Sequence, residues 1–199
     1  KKDTCALLSI SYGYATKNRA EQTIAEVLKT AEEHMYRRKL LEHQSIRSTL
    51  LSTIKELLFS KSNETMEHAD RMVDLAKRLG TEMDLNEADM DALQLMATLH
   101  DVGKIGISNY VLSKPGKLDE TEWMEMRKHP EIGYRIALTI PELQNIAGYI
   151  LCHHERWDGN GYPQGLAGRE IPYISRLISV IDAYDAMTGS SPFRDAITP

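Results

Sequence analysis

Residues 99–104, Leu-His-Asp-Val-Gly-Lys, close an apolar stripe in the middle of this 199-residue chain. Leu93, Met96, Ala97 and His100 fall at i, i+3, i+4 and i+7, so a helix would set them on one face. Such a face belongs in a core, and it would carry the imidazole inward with Asp101 beside it. A buried polar or charged group without a partner is expensive. The fold must therefore offer this pair either hydrogen bonds or a cation. For an isolated His-Asp pair the hydrogen bond is the simpler answer, and the rest of the chain has to decide.

Of seven histidines, His68, His100, His129, His153 and His154 lie between positions 68 and 154, each near an expected helix end or on an apolar face. Glu64 and His68 are spaced i, i+4 and project from one side of one helix. Asp182 follows another apolar stripe. Imidazole and carboxylate suit Fe, Mn and Zn in enzymes, and the lack of thiolates disfavours a closed structural zinc site. So many ligands on separate helices exceed one ion and suggest two or three, bridged by an aspartate. Such a site lowers the pKa of a water held between the ions, and the hydroxide can attack phosphorus. Lys104, about one turn beyond Asp101, could hold a non-bridging phosphate oxygen.

Around this centre the chain reads as helices with clear punctuation. A helix from Glu64 to Leu79 is stopped by Gly80, and Asn86 with Asp89 starts one that runs to His100-Asp101 and ends at Gly103. Asp119 with Glu122 reads as a capping box. Further helices open at Pro130, at Pro141 (running to His153-His154) and at Pro172 (leading to Asp182). Residues 155–170, with four glycines and a proline, form a loop. Upstream, residues 5–15 read as a strand, a helix follows, and an uninterrupted helical pattern from about Arg37 to Ser60 predicts a long connecting helix. That helix is either a signalling linker packed on a second copy or an ordinary amphipathic helix. The net charge of −5 and pI near 5.8 argue against a general nucleic-acid binder. No apolar run reaches the roughly 18 residues of a membrane span. Cys5 and Cys152 form no CxxC pair and read as reduced thiols.

Two resemblances follow from these residues. SISYGYAT and AEEHMYRRK, within residues 1–40, resemble the closing strand and helix of a GGDEF diguanylate cyclase domain, without the GGDEF signature. HDVGK at 100–104, HHERWDGNGYP at 153–163 and the later IDAYDAMT resemble the HD-GYP subfamily of HD-superfamily phosphohydrolases, from about Glu64 to the C-terminus. The resemblance implies an all-α HD-type bundle over 61–199, a connecting helix over 41–60 and an α/β remnant over 1–40. It implies a bacterial, cytoplasmic phosphodiesterase, part of a larger multidomain or membrane-tethered parent, that linearises cyclic di-GMP to pGpG and in some members to GMP. Its metal ligands fall on His68, His100, Asp101, His129, His153, His154 and Asp182, with Glu64 the extra carboxylate of members holding three ions, commonly iron or manganese. Lys104 matches a phosphate-binding lysine and Tyr162 a residue beside the substrate. Asp158, Gly159 and Gly161 shape the loop, the glycines through positive φ.

Where the subfamily often reads DRPYR this chain has Ser190-Ser191-Pro192-Phe193-Arg194. Arg194 keeps a basic residue for a phosphate, whereas Ser191 replaces an arginine, so affinity or substrate choice is open. The chain also stops at Pro199, before the subfamily's last helices. Two other functions stay in play. One is a catalytically weak module that binds a cyclic dinucleotide, or a GGDEF-domain protein through the GYP loop. The other is an HD hydrolase acting on a different nucleotide.

Overall fold

The computed structural model describes residues 12–62 and 65–188, with the backbone alone over 37–48. The chain divides into two compact units, residues 1–52 and 53–199.

In the first unit, residues 12–23 are irregular and lead into α1 (Ile24–Lys61), one unbroken helix of 38 residues whose last turns belong to the second unit. Thr23 and Glu26 close its start reciprocally: the Thr23 amide donates to Glu26 Oε2 at 2.7 Å and the Glu26 amide to Thr23 Oγ1 at 3.3 Å. His34 Nδ1 meets the Tyr14 carbonyl at 3.1 Å. Of the strand expected over 5–15, residues 5–11 lie outside the described residues. Residues 12–15 are not a strand: a strand exists only as part of a ladder, and among the described residues they join none.

The second unit is helical, as the sequence predicts. It comprises α2 (Met66–Glu82), α3 (Glu87–Leu99), a 3-10 turn (Val102–Gly106), α4 (Asn109–Leu112), α5 (Glu120–Met126), α6 (His129–Thr139), a 3-10 turn (Pro141–Leu143), α7 (Gln144–Leu151), a 3-10 turn (Gly168–Glu170) and α8 (Tyr173–Thr188). Helix α3 is central and packs on α2, α7 and α8, while α6 packs on α7 and on the 102–106 turn. Met72, Leu93, Met96, Leu99, Ile146, Ile150, Ile174 and Ile178 form the core at this crossing, each at most 2% exposed. Truncating one of them, such as Leu93→Ala, should cost about 2–5 kcal/mol.

The expected caps are present. Asn86 Oδ1 accepts from the Asp89 amide at 3.0 Å, and Asp119 and Glu122 form a complete capping box. Glu122 is also buried and held by the Lys114 ammonium. Some boundaries differ from expectation, beginning with the start of α2 at Met66, after Thr65 as an extended N-cap, rather than at Glu64. Gly80 does not stop α2, which continues to Glu82; Gly80 is buried against Met90, where a Cβ would come 2.7 Å from Met90 Cε. The exit lies instead at Asp84, in the left-handed region at φ 51°. The helix expected from Pro141 is split by the 3-10 turn and ends at Leu151, leaving His153-His154 just beyond it. Helix α8 runs past Asp182 by almost two turns, because nothing in Ala183–Thr188 breaks it.

Candidate metal centre

Helix α3 ends in the core, so His100 and Asp101 are buried at 3% and 6% exposure. The 102–106 turn then folds Lys104 back over Asp101, with Nζ 2.6 Å from Oδ2. Gly103 makes this possible, for a reason other than ending a helix. A Cβ there would run into the His129 carbonyl and lie 2.6 Å from the Gly133 amide nitrogen. Two glycines thus let the turn rest on the first turns of α6 and bring Asp101 against His129.

His129 and His153 are oriented by the same local device. His129 Nδ1 bonds the Met126 carbonyl at 2.8 Å and His153 Nδ1 the Ile150 carbonyl at 2.6 Å, each three residues earlier. A carbonyl only accepts, so both Nδ1 atoms carry a proton, and in a neutral ring Nε2 is left with a lone pair. Both Nε2 atoms face Asp101 Oδ1, at 3.0 and 3.6 Å, and stand 3.2 Å apart. Burial keeps His153 from charging, lowering its pKa despite the nearby carboxylate, and burial likewise pushes His154 down to about 2. Burial alone would raise the Asp101 carboxyl. Lys104 and His100 beside it outweigh that and hold it well below the usual carboxylate range.

The candidate ligands fall in two groups, the ligand atoms in each lying within 4.8 Å of one another: Asp101, His129, His153 and His154, and His68, His100 and Asp182. Asp101 faces both, since its Oδ1 meets His129 and His153 while Oδ2 lies 3.4 Å from His100 Nε2. A proton can join two converging acceptors, whereas a divalent cation can take all three at once. The donor set of imidazole nitrogen and carboxylate oxygen, buried and without thiolate, fits such an ion. Glu64, Ser191 and Arg194 lie outside the described residues.

The profile of the HD domain family matches residues 52–199, which include both ligand groups. The chain belongs to the HD domain family. It is 39% identical over 169 residues to a cyclic di-GMP phosphodiesterase of Thermotoga maritima, covering 84% of this chain and 45% of the relative. It is 34% identical over 148 residues to the 3'3'-cGAMP-specific phosphodiesterase 3 of Vibrio cholerae, covering 74% and 32%. It is 37% identical over 150 residues to the cyclic di-GMP phosphodiesterase response regulator RpfG of Xanthomonas campestris, covering 74% and 40%. The chain thus spans less than half the length of each.

In this HD domain Tyr162 stacks on His154, with centroids 4.9 Å apart and planes at 26°, and the Arg127 guanidinium lies 5.4 Å from the tyrosine centroid. Burial pushes the Tyr162 phenol up to about 12, so at neutral pH it remains an O–H donor. The loop that carries it is fastened by Glu155, a buried carboxylate accepting the Gln164 amide at 2.6 Å and the Leu166 amide at 3.0 Å. Gly159 has the expected positive φ of 77°. Gly161 does not; a Cβ there would strike the backbone of Arg156 and Glu155, so close approach is what it provides. Asp158 caps the bend by accepting the Asn160 amide at 3.0 Å and is paired with Arg156.

Four residues are missed by the sequence: Glu155, Arg71, Asp185 and Arg127. Asp185 is buried and bonded to His68 and Arg71. Its signal was its place one turn after Asp182 in IDAYDAMT, and that of Arg71 was its place one turn after His68. A groove of about 580 Å³ between α2 and α8 is lined by Leu75, Leu79, Val180, Ile181 and Tyr184 and contains none of the candidate ligands. Among the described residues, no helix is long and apolar enough to cross a membrane.

Proposed function

We propose that this HD domain is a metal-dependent phosphodiesterase that opens cyclic di-GMP to pGpG, with His68, His100, Asp101, His129, His153, His154 and Asp182 as ligands of two ions, or of three with Glu64 as the extra carboxylate, iron or manganese. The observation that carries this reading is Asp101, buried with one oxygen turned to each ligand group. When bound, divalent ions would lower the pKa of a water and polarise a phosphoryl oxygen.

The chain's own residues account for the rest. Asp101 would be shared by the ions, and the Nε2 atoms of His129 and His153, whose Nδ1 atoms are held by carbonyls, face the same place. Lys104, about one-fifth exposed, holds an ammonium group at the edge of the site, where it can balance charge building on a non-bridging oxygen. Tyr162 offers a hydroxyl donor and Arg127 a second cation, which suits an anionic ligand carrying more than one phosphate. Relatives named for cyclic di-GMP and for 3'3'-cGAMP both support a cyclic dinucleotide as the substrate class, and the second compound is the specific alternative.

The test is metal analysis of protein purified without oxygen, followed by separation of products from cyclic di-GMP and from 3'3'-cGAMP. Two or three bound ions and conversion of cyclic di-GMP to pGpG are expected. Faster turnover of 3'3'-cGAMP would reassign the substrate. Two ions with both compounds intact would overturn hydrolysis in favour of a binding module.

A further inference from the structure

The two ligand groups are anchored in different ways. His129 and His153 lean on backbone carbonyls, which are neutral and fixed by the helix that carries them. His68, on α2, leans on a side chain from α8: its Nδ1 lies 2.7 Å from Asp185 Oδ2. Asp185 is itself gripped by a planar fork, with Arg71 Nε donating to Oδ1 at 2.7 Å and Nη2 to Oδ2 at 2.9 Å. The aspartate side chain is 4% exposed and the arginine 51%, so the fork reaches in from the surface. Both carboxylate oxygens are thereby engaged, and Asp185 is left out of the group formed by His68, His100 and Asp182.

We propose that Asp185 and Arg71 are positioning residues that set the ring of His68 for the second ion, making that ion's affinity depend on a charged side-chain relay where His129 and His153 rely on backbone carbonyls. An anionic acceptor on Nδ1 fixes the tautomer with its lone pair on Nε2, limits ring rotation and makes that lone pair more basic. The bidentate arginine holds the carboxylate in one plane. Since Asp182 and Asp185 sit one turn apart on α8, the same helix supplies a ligand directly and the orienting group for a ligand on α2. This inference rests on the metal reading above.

The experiment titrates the metal-free chain with Mn²⁺ under argon and follows free Mn²⁺ by its paramagnetic resonance signal, for wild type, Asp185→Asn and Arg71→Gln. Wild type is expected to take at least two equivalents. Asp185→Asn should bind the first with unchanged affinity and the second about 10–100-fold more weakly. Arg71→Gln, at a half-exposed position, should weaken the same step and carries the test alone if Asp185→Asn does not fold. Melting in chelator separates this from a general loss of structure, which would weaken both equivalents together. Equal weakening of both equivalents, or no change in either, would overturn the relay while leaving the metal reading in place. A wild-type chain that binds no second equivalent would overturn both.

Discussion

Replacing Gly103 by alanine adds one methyl group at the point where the 102–106 turn rests on α6. The new Cβ would overlap the His129 carbonyl and stand 2.6 Å from the Gly133 nitrogen and 2.7 Å from the His129 carbonyl carbon. Ordinary contact begins near 3.4 Å, so relieving the Gly133 contact alone parts turn and helix by about 0.8 Å and the overlap with the His129 carbonyl demands more; the obstructing atoms are backbone with no rotamer to yield. Overpacking of this kind costs about 1–3 kcal/mol, which for a chain of this size lowers the melting temperature by roughly 2–12 °C. The same displacement separates Asp101 from His129, whose contact is now 3.0 Å. Mn²⁺ affinity should therefore fall by about tenfold or more, the scale seen when ligand positioning is lost. Gly148→Ala is the control: its Cβ meets nothing within 4 Å, and it lies inside α7. That variant should gain about 0.4–1 kcal/mol by restricting the unfolded chain. Thermal unfolding in chelator and Mn²⁺ titration measure both variants. If Gly103→Ala melts within a degree of wild type and binds Mn²⁺ equally well, the close approach does not hold the site together.

The metal-free protein should lose stability on acidification. His154 titrates near 2 when folded against 6.5 for the ordinary side chain, so below 6.5 the unfolded state takes up a proton that the folded state refuses. Each pH unit from 6.5 downward then costs on the order of 1.4 kcal/mol for such a group, and His153 moves in the same direction. Denaturant midpoints between pH 7.5 and 5 check this, and a flat profile would contradict it. Glu155→Ala strips the acceptor from two loop amides and should cost about 1–3 kcal/mol; limited proteolysis should then cut within 156–170, and an uncut loop would count against the fastening role. Lys104→Met should retain both ions by metal analysis yet lower cyclic di-GMP turnover by about 100-fold, as loss of one charge-stabilising donor does. Unchanged turnover would remove Lys104 from the reaction.

How far the sequence could go depended on whether a residue's role is local. Asn86 and Asp119 announce helix starts because a cap is satisfied within three residues, and both act as read. The stripe ending at His100 predicts an inward-facing helix end, since periodicity reports which residues share a face. It does not report which helix that face will meet. Hence Asp182 was picked out while Asp185, one turn on, was missed: only the crossing of α2 and α8 brings it to His68. Gly80, Gly103 and Gly161 look like local punctuation, but a Cβ on each would strike atoms outside its own turn. Glu155 adjoins the His153-His154 pair, yet its partners are amides nine and eleven residues later in a loop with no periodicity to follow.

His129 and His153 each borrow the carbonyl three residues upstream. Every amino acid supplies that oxygen, so the anchoring bond is indifferent to what is encoded at positions 126 and 150. Point substitutions there can alter packing but cannot delete the acceptor. What inheritance must preserve for these two ligands is a chain length, three residues in a helical turn, rather than a partner's identity. An insertion or deletion within 126–129 or 150–153 would therefore disable them where most single-codon changes would not.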